Sequence, residues 1–118
     1  MKQFLAIYMG SPASAEHSKW QALDPGARKE REAAGMKAWG DWMAKHQGVI
    51  VTTGGPLGKT KRVSSTGAAD IKNEMTGYVV VKAESHDAAA QLFLNHPHFT
   101  IFPGVGVEIM EVLPIPRM

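Results

Sequence analysis

The chain has 118 residues, 44% of them hydrophobic and 20% charged, a balance that belongs to a globular protein and excludes a disordered one. That length predicts one domain, 1–118, with a core of modest size. Thirteen basic against eleven acidic side chains leave a formal charge of +2, and there is no cysteine, so a broad basic footprint for nucleic acid, disulfides and thiolate chemistry are all excluded.

The first apolar run, residues 3–9, is closed by Gly10-Ser11-Pro12 and reads as a buried strand. A secretory leader is the other thought prompted by MKQFLAIYMGSPASA. Its apolar core, however, is shorter than the roughly 7–15 residues such a leader uses, and it contains Tyr8. A polar loop rich in serine and alanine follows. Asp24 then has the chemistry of a helix N-cap with Pro25 at the first helical position. The helix runs to about His46, with Gly35, Ala38, Trp39, Trp42, Met43 and His46 on one stripe.

Residues 48–53 are β-rich and end in Gly54-Gly55-Pro56. Residues 61–66 predict an irregular strand or hairpin arm, 67–73 a turn, and 77–83 (GYVVVKA) a strand. Ser85 caps a second helix whose inner stripe is Ala89, Leu92, Phe93 and His96, and Pro97 stops it. Residues 105–113 form the last strand, before an extended Pro114-Ile115-Pro116 tail. No stretch approaches the roughly 18 consecutive apolar residues of a membrane span, and the absence of cysteine suits a reducing cytoplasm.

This order of two βαβ-type halves predicts an α+β fold, a ferredoxin-like sandwich on an antiparallel sheet. Period-two alternation puts Phe4, Ala6 and Tyr8 on one face and Leu5, Ile7 and Met9 on the other; the later strands are likewise apolar on both sides. Two helices cover one face only. The uncovered face predicts a homodimer, with about 1,200–2,000 Å² of buried area; the competing expectation is a monomer whose tail folds across its sheet.

Three stretches invite a chemical reading. TGGPLGKT at 53–60 approaches a phosphate-binding loop, but its first position is Thr53, Pro56 lacks an N–H, and no amphipathic helix follows, so nucleotide hydrolysis is rejected. Asp41 lies between two tryptophans, yet Lys37 and Lys45 at four-residue spacing mark it as part of an exposed ion-pair row. Trp39 and Trp42 read as core, with indole N–H groups that need partners.

The third is LNHPHFTIFPG at 94–104. His96 at the end of the second helix is favoured as a cation by the helix dipole, an effect of about 0.3–1 kcal/mol that requires no ligand. A metal reading of His96 and His98 would need further ligands from His17, His46, His86 or scattered carboxylates, so no metal site is assigned. An acid–base role is better supported, because histidine titrates near neutrality and Pro97 and Pro103 stiffen the loop. Asn95 and Glu108 are the candidates to orient such a base.

Across nearly its whole length the chain resembles the YCII-related proteins, which are small dimeric α+β barrels. The resemblance is carried by MKQFLAIYMG, GVIVTTGGPLG, NEMTGYVVVKA and AAQLFLNHPHFTIFPGVGVEIMEVLPIP. It implies a homodimer with a pocket between the first helix and the loop after the second, and cofactor-free lyase-type chemistry. The family's histidine on the first helix falls near Ala38 or Trp39 here, and its Asp-Pro pair is replaced by His96-Pro97. Neither the pair nor the family's reaction therefore carries over. The expectation is a small-molecule pocket with His96 and His98 handling protons without a cofactor, an apolar wall of Tyr8, Trp39, Trp42 and Phe99, and Gly55-Pro56 at the rim. The alternative is a non-catalytic ligand-binding or interaction protein on the same scaffold.

Overall fold

A computed structural model describes residues 1–116. Its elements are β1 (Lys2–Met9), α1 (Ala15–Ala22), α2 (Pro25–Lys45), β2 (Ile50–Pro56), β3 (Thr60–Ser64), β4 (Gly67–Ile71), β5 (Met75–Ala83), α3 (His86–Gln91), α4 (Pro97–Thr100) and β6 (Gly106–Glu111). Four strands form an antiparallel sheet in the order β2-β5-β1-β6, and β3 pairs with β4 in a separate two-stranded sheet. This is the ferredoxin-like arrangement: β1 and β2 flank β5 and are joined by the long helix α2.

Local chemistry starts each helix where expected. Asp24 accepts a hydrogen bond from the Ala27 N–H at 2.9 Å with Pro25 behind it, and Ser85 accepts from the Ala88 N–H at 3.1 Å. Register then sorts the strand side chains. Phe4 faces Val81 and Ala6 faces Val79, so these four share the helix side with Tyr8; Leu5 opposite Val80 and Ile7 opposite Tyr78 lie on the other side. Phe4, Ala6, Val79 and Val81 are fully or almost fully buried and pack with Ala83, Ala89, Phe93 and Trp42 as the core.

Four expectations are corrected. The predicted polar loop contains α1, capped by Ser14, which accepts from the His17 N–H at 3.0 Å. No residue of α1 is buried, so hydrophobic periodicity had nothing to report. The predicted turn at 67–73 is largely β4, an exposed strand held by its ladder to β3. β2 continues through Gly54-Gly55-Pro56 by means of a bulge: Gly54 adopts φ 62°, and a side chain there would run into the Tyr78 carbonyl. Finally, the second helix does not reach His96. It ends at Gln91, the chain reverses through Asn95 at φ 59°, and His96 becomes the N-cap of the single-turn α4. The helix-dipole reading of His96 fails with it, because an N-cap lies at the end of a helix that disfavours a cation.

α2 and α3 pack on one face of the sheet, and on the other face Leu5, Ile7, Tyr78, Val80 and Met110 have no helix over them. The tail does not cover them either: Leu113 and Ile115 are 69% and 92% exposed. Among the described residues no helix is long and apolar enough to cross a membrane.

Candidate functional site

A cavity of about 380 Å³ opens on the helix side, where the ends of β1, β2 and β5 approach α2 and α4. Tyr8 contributes from β1, Met36, Trp39 and Met43 from α2, Gly55 and Pro56 from β2, and Thr76, Gly77 and Tyr78 from β5. Thr53, His98 and Phe102 complete the wall. The β2 bulge brings Gly55-Pro56 opposite Tyr78 and Gly77, which makes the expected rim.

His98 is held here by three backbone contacts. Its Nε2 lies 2.7 Å from the Met9 carbonyl, its own N–H donates to His96 Nδ1 at 3.0 Å, and its carbonyl accepts from the Gly104 N–H at 2.9 Å. A carbonyl only accepts, so Nε2 carries the proton and Nδ1 is bare. Among the described residues Nδ1 has no partner. Among the described residues no side-chain nitrogen or oxygen is both buried and unpaired, so Nδ1 is not sealed off, and His98 lines the cavity. Burial lowers the His98 pKa, with the Met9 carbonyl partly opposing that shift, and so favours the neutral base.

His96 is different. It is fully buried and does not line this cavity, enclosed by Tyr8, Trp39 and Trp42 at ring-centroid distances of 5.1, 4.6 and 4.7 Å. Burial lowers its pKa to about 3, helped by the neighbouring His98 and His46. It stays neutral at physiological pH. Tyr8, also buried, has its pKa raised by desolvation and remains a phenol.

Of the other expected site residues, Tyr8, Trp39, Gly55 and Pro56 line the cavity with His98. Trp42 and Phe99 do not. Trp42 is core, with its Nε1–H donating to the Leu92 carbonyl at 2.9 Å, and Phe99 lies 37% exposed on the outside of α4. Phe102, three residues later, takes the wall position; its ring fills the space where a side chain on Gly35 would be. Of the two proposed orienting residues, Glu108 does not serve. Glu108 pairs with Ile7 and faces the opposite side of the sheet, and a backbone carbonyl holds His98 instead.

Asp41 is exposed and paired with Lys37 at 3.0 Å. Thr60 begins β3, so Gly58-Lys59-Thr60 leads into a strand and makes no phosphate cradle. Among the described residues no three His, Cys, Asp or Glu side chains converge to hold a metal. Met36, Thr53, Thr76 and Tyr78 join the cavity without any sequence motif to mark them. Period-two alternation puts the Tyr78 side chain on the uncovered face, yet Tyr78, paired with Gly55 beside the β2 bulge, borders the cavity at its rim.

No family model and no curated protein matches the chain by sequence. Among solved structures it is similar to 5-chloro-2-hydroxyhydroquinone dehydrochlorinase from Burkholderia phenoliruptrix, determined in complex with 2,5-dihydroxybenzoquinone. The TM-score is 0.51 at 17% sequence identity, over 92% of this chain and 90% of that one. At that identity the likeness establishes the fold alone: α+β and ferredoxin-like.

Proposed function

We propose that the chain is a YCII-related protein that binds a small planar ligand in the cavity beside Trp39 and moves a proton on it through His98, without a cofactor. The observation that supports this is His98, held through Nε2 by the Met9 carbonyl, lining an apolar space of about 380 Å³ with no partner on its Nδ1 among the described residues. That volume is within the range of small-molecule sites, and its wall of Trp39, Met36, Met43 and Phe102 suits an aromatic ring better than a flexible chain. A neutral imidazole in such a wall is a base that needs no deprotonation first. The neighbouring fold's bound 2,5-dihydroxybenzoquinone makes phenols and quinones the first ligands to try. His96 does not line this cavity, so its part is to hold His98 and Tyr8. A reducing cytoplasm suits a chain free of cysteine.

Screening phenols, quinones and small acids by thermal shift, then following each hit by chromatography, tests the reading. Wild type is expected to consume a hit, and His98→Ala to bind it but turn it over about 100-fold more slowly or worse. Unchanged consumption in His98→Ala ends the assignment of the base. Binding without consumption by either protein leaves the non-catalytic ligand-binding reading in its place.

We also propose that the working form is a homodimer joined through the helix-free face of the sheet, since Leu5 and Val80 are half-buried there and Met110 is exposed beside them. Sedimentation at micromolar concentration is expected to give a dimer, and Val80→Asp a monomer. A folded single subunit in the wild type would remove the dimer.

A further inference from the structure

Tyr8 stands among four rings, with centroids at 4.8 Å for Trp39, 5.1 Å for His96, 5.2 Å for His98 and 6.4 Å for Phe93. Among the described residues its hydroxyl has a single partner, His96 Nε2, at 3.4 Å. The direction of that bond is decided on the far side of the imidazole. The backbone N–H of His98 can only donate, and it ends on His96 Nδ1 at 3.0 Å. Nδ1 is therefore bare, and the neutral ring keeps its one proton on Nε2. Nε2–H accordingly donates to the Tyr8 oxygen. The Tyr8 proton is left with no acceptor among the described residues, and a buried hydroxyl without one is costly. The open space that Tyr8 borders is the cavity.

We propose that Tyr8 is the hydrogen-bond donor of this cavity, that His96 is the positioning residue that turns its hydroxyl inward, and that Tyr8 O–H with His98 Nδ1 selects a hydroxyquinone-type ring. This rests on the reading of the cavity as a small-molecule site. Such a ring carries a carbonyl oxygen to accept from Tyr8 and a hydroxyl to donate to His98. The step the pair supports is balanced by itself. The ligand hydroxyl proton moves to His98 Nδ1, the O–H electron pair stays on the ligand oxygen, and the resulting negative charge spreads through the ring to the carbonyl that Tyr8 stabilises. The products are an imidazolium and a ring anion, with no change of oxidation state. Burial keeps Tyr8 a phenol, so it donates to that anion and does not repel it.

Two measurements test the assignment. In the ligand-free protein, long-range ¹H–¹⁵N correlations of the histidine rings at neutral pH are expected to give His96 as the Nε2–H tautomer. An Nδ1–H tautomer or an imidazolium at His96 overturns the proposal whether or not a ligand is known. In the second, 2,5-dihydroxybenzoquinone is titrated into wild type, Tyr8→Phe, His96→Asn and the double variant, following its visible absorption. Asparagine at 96 keeps an N-cap acceptor for the His98 N–H but has no Nε2–H. Tyr8→Phe is expected to weaken binding about 10- to 100-fold, the range for a lost hydrogen bond to a charged group. His96→Asn is expected to weaken it less, and the double variant to bind as Tyr8→Phe does. Equal binding by Tyr8→Phe and wild type overturns the donor role. An equal loss from His96→Asn in both backgrounds makes His96 merely structural and overturns the positioning role. Failure of wild type to bind the probe, with the tautomer as assigned, overturns the small-molecule reading of the cavity and the hydroxyquinone assignment with it.

Discussion

Gly104→Ala is expected to weaken ligand binding more than it weakens the fold. Gly104 is buried after α4, and a methyl group on it would meet Nε2, Cδ2 and the carbonyl oxygen of His98. The carbonyl is tied to the Gly104 N–H at 2.9 Å and cannot move aside, so the imidazole has to turn. Turning it breaks the 2.7 Å bond to the Met9 carbonyl, which is the contact that keeps the proton on Nε2 and leaves Nδ1 bare. Overpacking of this kind costs about 1–3 kcal/mol of stability. The ligand loses its base altogether. Gly106→Ala is the control, because a methyl group there has nothing within 4 Å. Urea unfolding and titration with a hit from the ligand screen read the two effects separately. A Gly104→Ala protein as stable as wild type, binding as well as wild type, would show that His98 is not clamped in this way.

Acid is expected to destabilise the protein well before its carboxylates titrate. His96 is fully buried, and its pKa of about 3 in the fold compares with about 6.5 for an exposed histidine. Between those values the unfolded chain binds a proton that the native chain refuses, so stability falls as pH falls. Above about pH 6.5 neither state binds it, and this residue makes no pH dependence there. The slope is about 1.4 kcal/mol per pH unit, which amounts to roughly 2 kcal/mol between pH 6.5 and pH 5. His98, whose pKa is also lowered by burial, steepens the same limb. Urea unfolding at pH 7 and pH 5 gives the slope. His96→Asn is expected to flatten it while keeping the cap on α4. The same slope in both proteins would mean that His96 is charged in the native state or open to water.

Both expectations concern a stretch that the sequence marks but does not arrange. His-Pro-His-Phe-Thr is conspicuous, and Pro97 announces a break in the helix. Read as the end of a helix, it makes His96 a cation favoured by the dipole. Folded, the break comes earlier, at Gln91, and Pro97 starts a new turn with His96 as its cap. One residue therefore goes from a protonated helix end to a neutral, buried acceptor. The difference is whether the chain between Leu92 and Asn95 continues the spiral or reverses, and Asn95 at φ 59° reverses it. Asparagine is the non-glycine residue that most readily adopts that conformation, so a signal was present but weak.

What the sequence determined unaided is what local periodicity and capping can encode. The Asp24-Pro25 start of α2, the Ser85 cap of α3, the β1 and β5 strands and the apolar character of both sheet faces all follow from neighbours a few residues apart. α1 and β4 escaped because neither buries a side chain, which leaves no hydrophobic pattern to read. Only the tertiary structure decided which aromatic residues meet His98. Trp39 and Trp42 share one helical stripe, but the cavity lies over Trp39, while Trp42 turns to the Leu92 carbonyl in the core. Phe102 replaces Phe99 because α4 directs Phe99 outward and because Gly35 leaves room for a ring. The protonation pattern of the histidines was decided at the same level, since it depends on which carbonyl and which N–H arrive at each ring nitrogen, and Met9 lies 89 residues from His98 along the chain.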